Sequence, residues 1–210
     1  MKHVLIFIDR DGTIEYDKKY HLGHQRNWKS KVKLLPNVVK GLKLLKKRPD
    51  FKVFLITNQT GVAIKEFPLL TEKRAHEVCR YILDRLEKNG IKLDGYELCG
   101  KASPAYVKKR RQFTFHRKLV GNFSCIKPKT GMIKSILRRE KIKRKDAKIY
   151  VLGDRASDVR TALNTRGFGI LIPFKQEPGH MEKVKRLKTR KKYIASDFLD
   201  ASRFILDREK

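Results

Sequence analysis

The chain has 210 residues, of which 52 are Lys or Arg and 22 are Asp or Glu, so its formal net charge is +30. This length, with 40% hydrophobic residues, suits a single globular α/β domain over residues 1–210 that can bury a core. No apolar run approaches the ~20 residues of a membrane span, and the first run is too short for a signal peptide. We therefore expect a cytoplasmic protein with no membrane partner. The three cysteines, Cys79, Cys99 and Cys125, form a sparse, odd set that predicts reduced thiols.

Short apolar runs alternate along the chain with helical periods, which is typical of a parallel sheet with crossover helices. We predict an α/β fold, a Rossmann-like three-layer sandwich with a central parallel sheet. The predicted strands are His3–Asp9, Lys52–Thr57, Gly95–Cys99, Lys148–Gly153 and Phe168–Ile172. The predicted helices begin at Pro36, after Thr71 and near Thr130, and a last short helix over Ser196–Leu206 is expected on the sheet edge.

Residues 101–124 interrupt this rhythm and predict one basic insertion over the strand ends, where it would shape substrate access. Between Lys101 and Lys148 there are 17 Lys or Arg and two acids, and seven of the ten residues from Lys183 to Lys192 are basic. Such a field attracts polyanions such as nucleic acid, although a general lysine bias that maintains solubility is the favoured explanation, because charge alone does not specify a chemistry.

Three aromatic residues of the insertion, Tyr106, Phe113 and Phe115, admit two interpretations. They can stack on the bases of a nucleic-acid end, or they can pack the insertion onto the sheet. The sequence favours packing and leaves the oligomeric state open.

Four polar motifs follow predicted strands or precede a helix. They are Asp9-Arg10-Asp11-Gly12-Thr13, Thr57-Asn58-Gln59-Thr60-Gly61, Cys125-Ile126-Lys127-Pro128-Lys129-Thr130-Gly131-Met132 and Gly153-Asp154-Arg155-Ala156-Ser157-Asp158. In an open parallel sheet these motifs converge at the carboxyl ends of the strands, where ligands bind. Two carboxylates close together repel one another, and a divalent cation relieves that repulsion. Carboxylates, a lysine and a cation in one place are suited to phosphoryl transfer.

The order and spacing of these motifs resemble the haloacid dehalogenase superfamily of phosphotransferases over nearly the whole chain. The strings FIDRDGTI, ITNQTGVA and KPKTGM resemble the branch that contains histidinol-phosphate and heptose-bisphosphate phosphatases, whose caps are small or absent. The resemblance implies a magnesium-dependent phosphomonoesterase acting through an aspartyl-phosphate on a small phosphorylated metabolite: a sugar phosphate, a heptose bisphosphate or histidinol phosphate.

The resemblance also implies roles for individual residues. The expected catalytic residues are Asp9 as nucleophile, Asp11 as general acid and base, and Lys127 as the cation that offsets phosphoryl charge. The expected metal site consists of Asp9, Asp11 through its backbone carbonyl, Asp154 and Asp158. Within it, Asp158 would orient a metal-bound water or Lys127. Thr57 and Asn58 are expected to bind the phosphoryl group, and Arg10 and Thr13 are further candidates for substrate contact.

The chain departs from this branch at a zinc-binding loop that many of its members carry. Cys99 and Cys125 match two cysteines of that loop, but Lys101 and Phe123 stand at the other ligand positions. Two ligands do not make a four-coordinate structural site, so zinc is not expected. Ile126 replaces the arginine found before the catalytic lysine of heptose-bisphosphate enzymes, which weakens that substrate assignment.

Polynucleotide 3'-phosphatases share the core and a similar Lys-Pro-x-Thr-Gly-Met string, so a phosphatase of nucleic-acid ends is the alternative enzyme. A basic nucleic-acid-binding protein on a phosphatase scaffold is the non-enzyme alternative. His21 and His24 lie in the loop after the first motif, and the sequence allows three roles for them: metal binding, substrate contact or packing.

Overall fold

The structure, a computed structural model, describes residues 3–16, 21–176 and 178–210. The strands are β1 (His3–Ile8), β2 (Phe51–Asn58), β3 (Gly95–Cys99), β4 (Ala147–Gly153), β5 (Phe168–Leu171) and β6 (Lys192–Ile194). The helices are α1 (Val38–Lys46), α2 (Glu72–Glu87), α3 (Pro104–Lys109), α4 (Gly131–Arg139), α5 (Ala156–Asn164), α6 (His180–Lys185) and α7 (Phe198–Arg208). Among the residues described, no helix combines the length and the apolar character that a membrane span requires.

All strands pair in parallel, in the order β3-β2-β1-β4-β5-β6. The predicted Rossmann-like α/β sandwich is therefore confirmed. Side chains alternate along β1, so Val4, Ile6 and Ile8 enter one core while Leu5 and Phe7 enter the other. Residues of α1, α2 and α7 complete the first core, and residues of α4 and α5 complete the second.

Capping residues in the sequence account for the starts of α2, α3 and α7. Thr71 caps α2, because its hydroxyl accepts a hydrogen bond from the backbone N–H of Arg74 at 3.1 Å. Helix α2 ends at Glu87 rather than continuing to Gly90, which adopts a positive φ of 76° just beyond it. The last helix, expected on the sheet edge, instead packs on the face of the sheet, because Phe198, Ala201 and Ile205 are buried in the first core. Strand β6 was not predicted, since three half-buried residues give too short a pattern.

The insertion at residues 101–124 contains the short helix α3 and packs on the segment after β2. Phe115 is buried there, and the ring of Phe113 lies 5.4 Å from that of Phe67. Tyr106 contacts Phe115 edge-on at 6.1 Å. The three aromatics thus pack the insertion onto the body of the protein, which was the favoured interpretation.

A disulfide joins Cys99, at the end of β3, to Cys125, just after the insertion. The prediction of reduced thiols is wrong for this pair, because the fold brings the two Cα atoms to 5.5 Å although they are 26 residues apart in sequence. The proximity of the two cysteines depends on the path of the insertion, and their separation in the sequence does not reveal it. Cys79 is the free, buried cysteine.

Candidate active site

All four motifs meet at the carboxyl edge of the sheet. Strand β1 lies between β2 and β4, so Asp9 follows β1 beside Asn58 and Asp154. The backbone N–H of Asp9 donates to the carbonyl of Leu152 at 2.8 Å, which continues the strand pairing to the first motif. Strand order alone therefore places the acidic residues of distant motifs side by side.

The carboxylates of Asp9, Asp154 and Asp158 form a buried triad. One oxygen from each lies within 4.8 Å of the others, and the residues are 6%, 1% and 0% exposed. Neither carboxylate oxygen of Asp154 accepts a hydrogen bond from any residue that the structure describes. Gly12 is required here: it has a φ of 75°, and a Cβ at its position would lie 2.5 Å from Oδ2 of Asp154.

The ammonium group of Lys127 closes one side of the triad. Its Nζ lies 2.7 Å from Oδ1 of Asp9 and 2.6 Å from Oδ1 of Asp158. Burial would lower the pKa of Lys127, but the charges of Asp158 and Asp9 outweigh burial and raise it, so the lysine is a cation. Asn58 holds the loop in place, since its Oδ1 accepts a hydrogen bond from the backbone N–H of Lys127 at 3.1 Å.

One lysine does not balance the three carboxylates. Burial, together with the charges of Asp158 and Asp11, raises the pKa of Asp9 to about 6 despite Lys127. Burial and the charges of Asp9 and Asp158 raise the pKa of Asp154 to about 9, although Lys127 and Arg155, whose Nε lies 3.8 Å from Oδ2 of Asp154, oppose this. A divalent cation would relieve the remaining repulsion, and an all-oxygen donor set with bare carboxylate oxygens fits a hard ion such as Mg²⁺.

Asp11 lies beside the triad but is held by different partners. Its carboxylate accepts hydrogen bonds from Arg10 at 2.6 and 2.9 Å and from the amide of Gln59 at 2.7 Å. The hydroxyl of Thr57 lies 3.3 Å from it. Burial would raise the pKa of Asp11, but the charge and hydrogen bonds of Arg10, with the hydrogen bond from Gln59, hold it well below its usual range. Asp11 is therefore ionised.

Arg10 is 0% exposed, and its guanidinium donates to Asp11 and, at 2.8 Å, to Gln59. Contact of Arg10 with a substrate stays a prediction. Burying a guanidinium requires a charged partner, and Asp11 supplies it. Thr13 is also buried, at 1% exposed, and its backbone N–H donates to the carbonyl of Arg10 within the turn.

Gln59 is the residue that sequence reasoning missed. It is 1% exposed and donates to the hydroxyl of Thr57 at 2.7 Å within its own motif. Its bond to Asp11 connects the first two motifs. Gln59 belongs to the second motif. Its polar side chain, two residues after Thr57 at the end of a buried strand, was the sequence feature that could have indicated a role in the site.

A cavity of about 370 Å³ lies beyond the first motif, lined in part by Glu15, Tyr16, His21 and His24. The rings of His21 and His24 both contact Phe67, at 5.4 and 4.8 Å. Burial lowers the pKa of His21 to about 4, although the charge of Asp11 opposes this. Within the described part of the chain, the Asp9–Asp154–Asp158 triad is the one cluster of at least three potential metal ligands, and neither histidine belongs to it.

Comparison with known proteins places this site among related sequences. A family model described as "Polynucleotide kinase 3 phosphatase" matches residues 4–202. A D-glycero-beta-D-manno-heptose-1,7-bisphosphate 7-phosphatase of Rhodopseudomonas palustris is 29% identical over 156 residues, which cover 74% of this chain and 76% of the relative. A histidine biosynthesis bifunctional protein HisB of Bacteroides fragilis is 27% identical over 210 residues, 100% of this chain and 49% of the relative. The chain thus spans about half the length of that relative.

Two solved structures share the fold. The D,D-heptose 1,7-bisphosphate phosphatase of B. bronchiseptica, solved with magnesium and phosphate, superposes with a TM-score of 0.71 at 20% identity and covers 99% of each chain. The corresponding enzyme of Burkholderia thailandensis gives a TM-score of 0.58 at 15% identity, over 96% of this chain and 97% of the other. At these identities the likeness concerns the fold alone.

Proposed function

Because the chain belongs to the polynucleotide kinase 3 phosphatase family, among the haloacid dehalogenase-type phosphatases, we propose that it is a magnesium-dependent phosphomonoesterase of small phosphorylated metabolites. The observation that carries the proposal is the buried triad of Asp9, Asp154 and Asp158 closed by Lys127. The names of the heptose-bisphosphate and HisB relatives support a sugar phosphate, a heptose bisphosphate or histidinol phosphate as substrate.

The nucleophile in this proposal is Asp9. One carboxylate oxygen attacks phosphorus, the bond from phosphorus to the leaving oxygen breaks, and an aspartyl-phosphate forms. Lys127, held between Asp9 and Asp158, offsets the negative charge on the phosphoryl oxygens. Asp158 positions that lysine, and Thr57 and Asn58 lie at the same strand end to contact the phosphoryl group.

Asp11 handles protons in both steps. Arg10 and Gln59 keep its carboxylate ionised, which suits the base that takes a proton from water as the water attacks the intermediate. Phosphate monoesters have a second pKa near ~6, so the proton delivered through Asp11 to the leaving oxygen enters with the substrate monoanion. The proton that Asp11 takes from water leaves with the phosphate as its monoanion, so the products are free alcohol and inorganic phosphate, and Asp9 and Asp11 are both regenerated as carboxylates.

Asp9, Asp154 and the backbone carbonyl of Asp11 would hold the magnesium ion. When bound, Mg²⁺ stabilises charge on the phosphoryl oxygens. The donor set fits the ion because Asp154 presents two buried oxygens with no hydrogen-bond donor from the described chain.

The test is release of inorganic phosphate from histidinol phosphate, heptose bisphosphate and simple sugar phosphates, with and without Mg²⁺. We expect turnover of at least one of them only with Mg²⁺. Asp9→Asn should abolish release, while Asp207→Asn, at an exposed carboxylate, should not. Full turnover by Asp9→Asn would refute the nucleophile.

A polynucleotide 3'-phosphatase is the second candidate, favoured by the description of the matching family and by the basic insertion. It predicts phosphate release from a 3'-phosphorylated oligonucleotide that falls steeply as salt rises. Faster, salt-insensitive turnover of a sugar phosphate would decide against it.

A further inference from the structure

A second cleft, of about 360 Å³, opens at the end of the sheet opposite the candidate active site. It lies where β4 and β5 begin, at Ala147 and Phe168. Strand β4 has seven residues, so at ~3.3 Å per residue the cleft is roughly 20 Å from Asp154. We call it the basic cleft, after the six cations that line it: Arg144, Lys145, Lys148, Arg166, Lys191 and Arg208.

Carboxylates do not balance these cations. The one acid among the lining residues is Glu209, and it already binds Lys148 at 2.7 Å and the Tyr150 hydroxyl at 2.6 Å. Over the ranges that the structure describes, Lys145, Arg166 and Lys191 form no ion pair with a carboxylate, and all three are exposed. The cleft therefore carries an uncompensated positive field.

Arg144 shows that the cations crowd one another. Its guanidinium is half-buried and donates to the backbone carbonyls of Thr165 and Ala147 rather than to an acid. Burial lowers the pKa of Arg144, and the charge of Arg166 lowers it further. An anion between these two side chains would raise the pKa of Arg144 and so offset both effects.

The surroundings extend the field beyond the cleft. The last turn of α6 carries Lys183 and Lys185, of which Lys185 pairs with Glu182, and the chain from Arg186 to Lys191 adds more cations beside the start of β5. Basic residues at the C-terminus of a helix also interact favourably with the dipole of that helix. This effect explains cations at one helix end, but it does not explain why six cations line the same cleft.

The shape and surface chemistry indicate the partner. Tyr150 and Phe168 are 4% and 8% exposed, so the cleft presents no ring on which a base could stack. The exposed large apolar residues in the described chain are Leu69 and Met181, and neither lines the cleft, so it offers no anchor for a lipid surface. The chemistry that the cleft does offer is the binding of phosphate groups by its cations, without contact to bases or lipid chains.

We propose that the basic cleft docks the phosphodiester backbone of nucleic acid, independently of base sequence and apart from the phosphatase site. Each exposed cation contacts one backbone phosphate and releases a condensed counterion. The inference does not depend on the proposed function, because the partner is held by its internal diester phosphates.

The test is binding of a fluorescent 20-mer with hydroxyl groups at both ends, followed by anisotropy over a range of salt, as RNA and as DNA. Such an oligomer has no phosphomonoester and is not a phosphatase substrate. The variant is Lys145→Ala with Arg166→Ala and Lys191→Ala. The matched control is Lys40→Ala with Lys73→Ala and Lys134→Ala, which removes the same charge from exposed positions elsewhere.

We expect the cleft variant to bind at least about tenfold more weakly and to lower the magnitude of the log–log salt slope by about 2 to 3, while the control changes both little. RNA and DNA should respond alike, since only the backbone is read. Phosphate release from the metabolite substrate should be unchanged in both variants, which separates failure of this inference from failure of the proposed function.

Equal losses in the two variants would assign binding to overall charge and overturn the proposal. So would absence of binding by the wild-type protein, or binding to anionic phospholipid vesicles with none to the oligomers. Circular dichroism of both variants checks that the fold persists.

Discussion

The ammonium group of Lys127 lies 2.6 Å from the carboxylate of Asp158, and both side chains are almost wholly buried. Lys127 comes from the loop before α4 and Asp158 from the first turn of α5, so the ion pair joins two separate motifs. The same lysine reaches Asp9 at 2.7 Å. Its position between the two acids makes it both a structural and a catalytic element of the proposed site.

Replacing this lysine should therefore affect both properties. We expect Lys127→Met to lose at least about 100-fold in kcat and to destabilise the protein by about 3–5 kcal/mol, because it leaves buried carboxylates without their cation. Phosphate release and denaturant unfolding measure the two effects. Lys129→Met is the control, since the Lys129 side chain binds Asn122 at the surface. A Lys127→Met enzyme with wild-type kcat would contradict the assignment.

The raised pKa of Asp154, about 9, predicts how metal and pH act on stability. A carboxyl group whose pKa is higher in the folded than in the unfolded state costs stability as pH rises from about 4 towards 9. Asp9, with a pKa of about 6, acts in the same direction below pH 6, where His21 opposes both carboxyl groups. Without Mg²⁺ the wild-type protein should therefore lose stability most clearly from about pH 6.5 to 9. Mg²⁺ should reverse the loss at pH 8.

Calorimetry at pH 8 measures this effect. At 100 times its Kd, Mg²⁺ should stabilise the wild type by about 2.7 kcal/mol and raise Tm by about 5–10 °C. Asp154→Asn should be at least as stable as the wild type in EDTA and should gain little from Mg²⁺. An equal gain in both proteins would place the ion elsewhere.

Gln59 positions Asp11 in the proposed mechanism, and its removal tests that role. We expect Gln59→Ala to lower kcat by about 10- to 100-fold with little change in KM, because a hydrogen bond to a charged group contributes about 1.5–3 kcal/mol. Exposed Gln112→Ala serves as the control. The pH profile of kcat should shift as well, since the hydrogen bond from Gln59 lowers the pKa of Asp11. Reduced kcat with an unmoved profile would indicate a structural role alone.

Much of this site followed from the sequence because its residues stand directly after strand ends. Asp9, Asn58 and Asp154 are neighbours as a consequence of strand order, and the resemblance of the motifs to a phosphatase family is confirmed by the match over residues 4–202. Arg10 and the Cys99–Cys125 pair were different. The Arg10 side chain is buried, and the 24-residue insertion brings Cys125 back beside Cys99. Both features depend on tertiary packing, which leaves no periodic pattern or motif in the sequence.

His21 should make stability sensitive to acid. Its pKa of about 4 lies below that of an unfolded histidine, so the unfolded chain binds the proton more readily, and the contribution of His21 to stability falls as pH drops from about 6.5 to 4. Over that range the stability of His21→Gln should rise relative to that of the wild type by up to about 3 kcal/mol. Exposed His116→Gln should follow the wild type. Parallel curves for His21→Gln and wild type would mean that His21 does not titrate in this range.

The disulfide between Cys99 and Cys125 gives the last prediction. It ties the end of β3 to the loop before Lys127, and so holds the insertion closed at its base. Closing a loop of 26 residues should stabilise the fold by about 3–4 kcal/mol, which reduction or Cys125→Ser should remove. Thiol titration of the unreduced, denatured protein should find one free thiol, that of Cys79, and three after reduction. Three thiols before reduction would show that the pair is reduced in solution and that the insertion is held by packing of Phe113 and Phe115 alone.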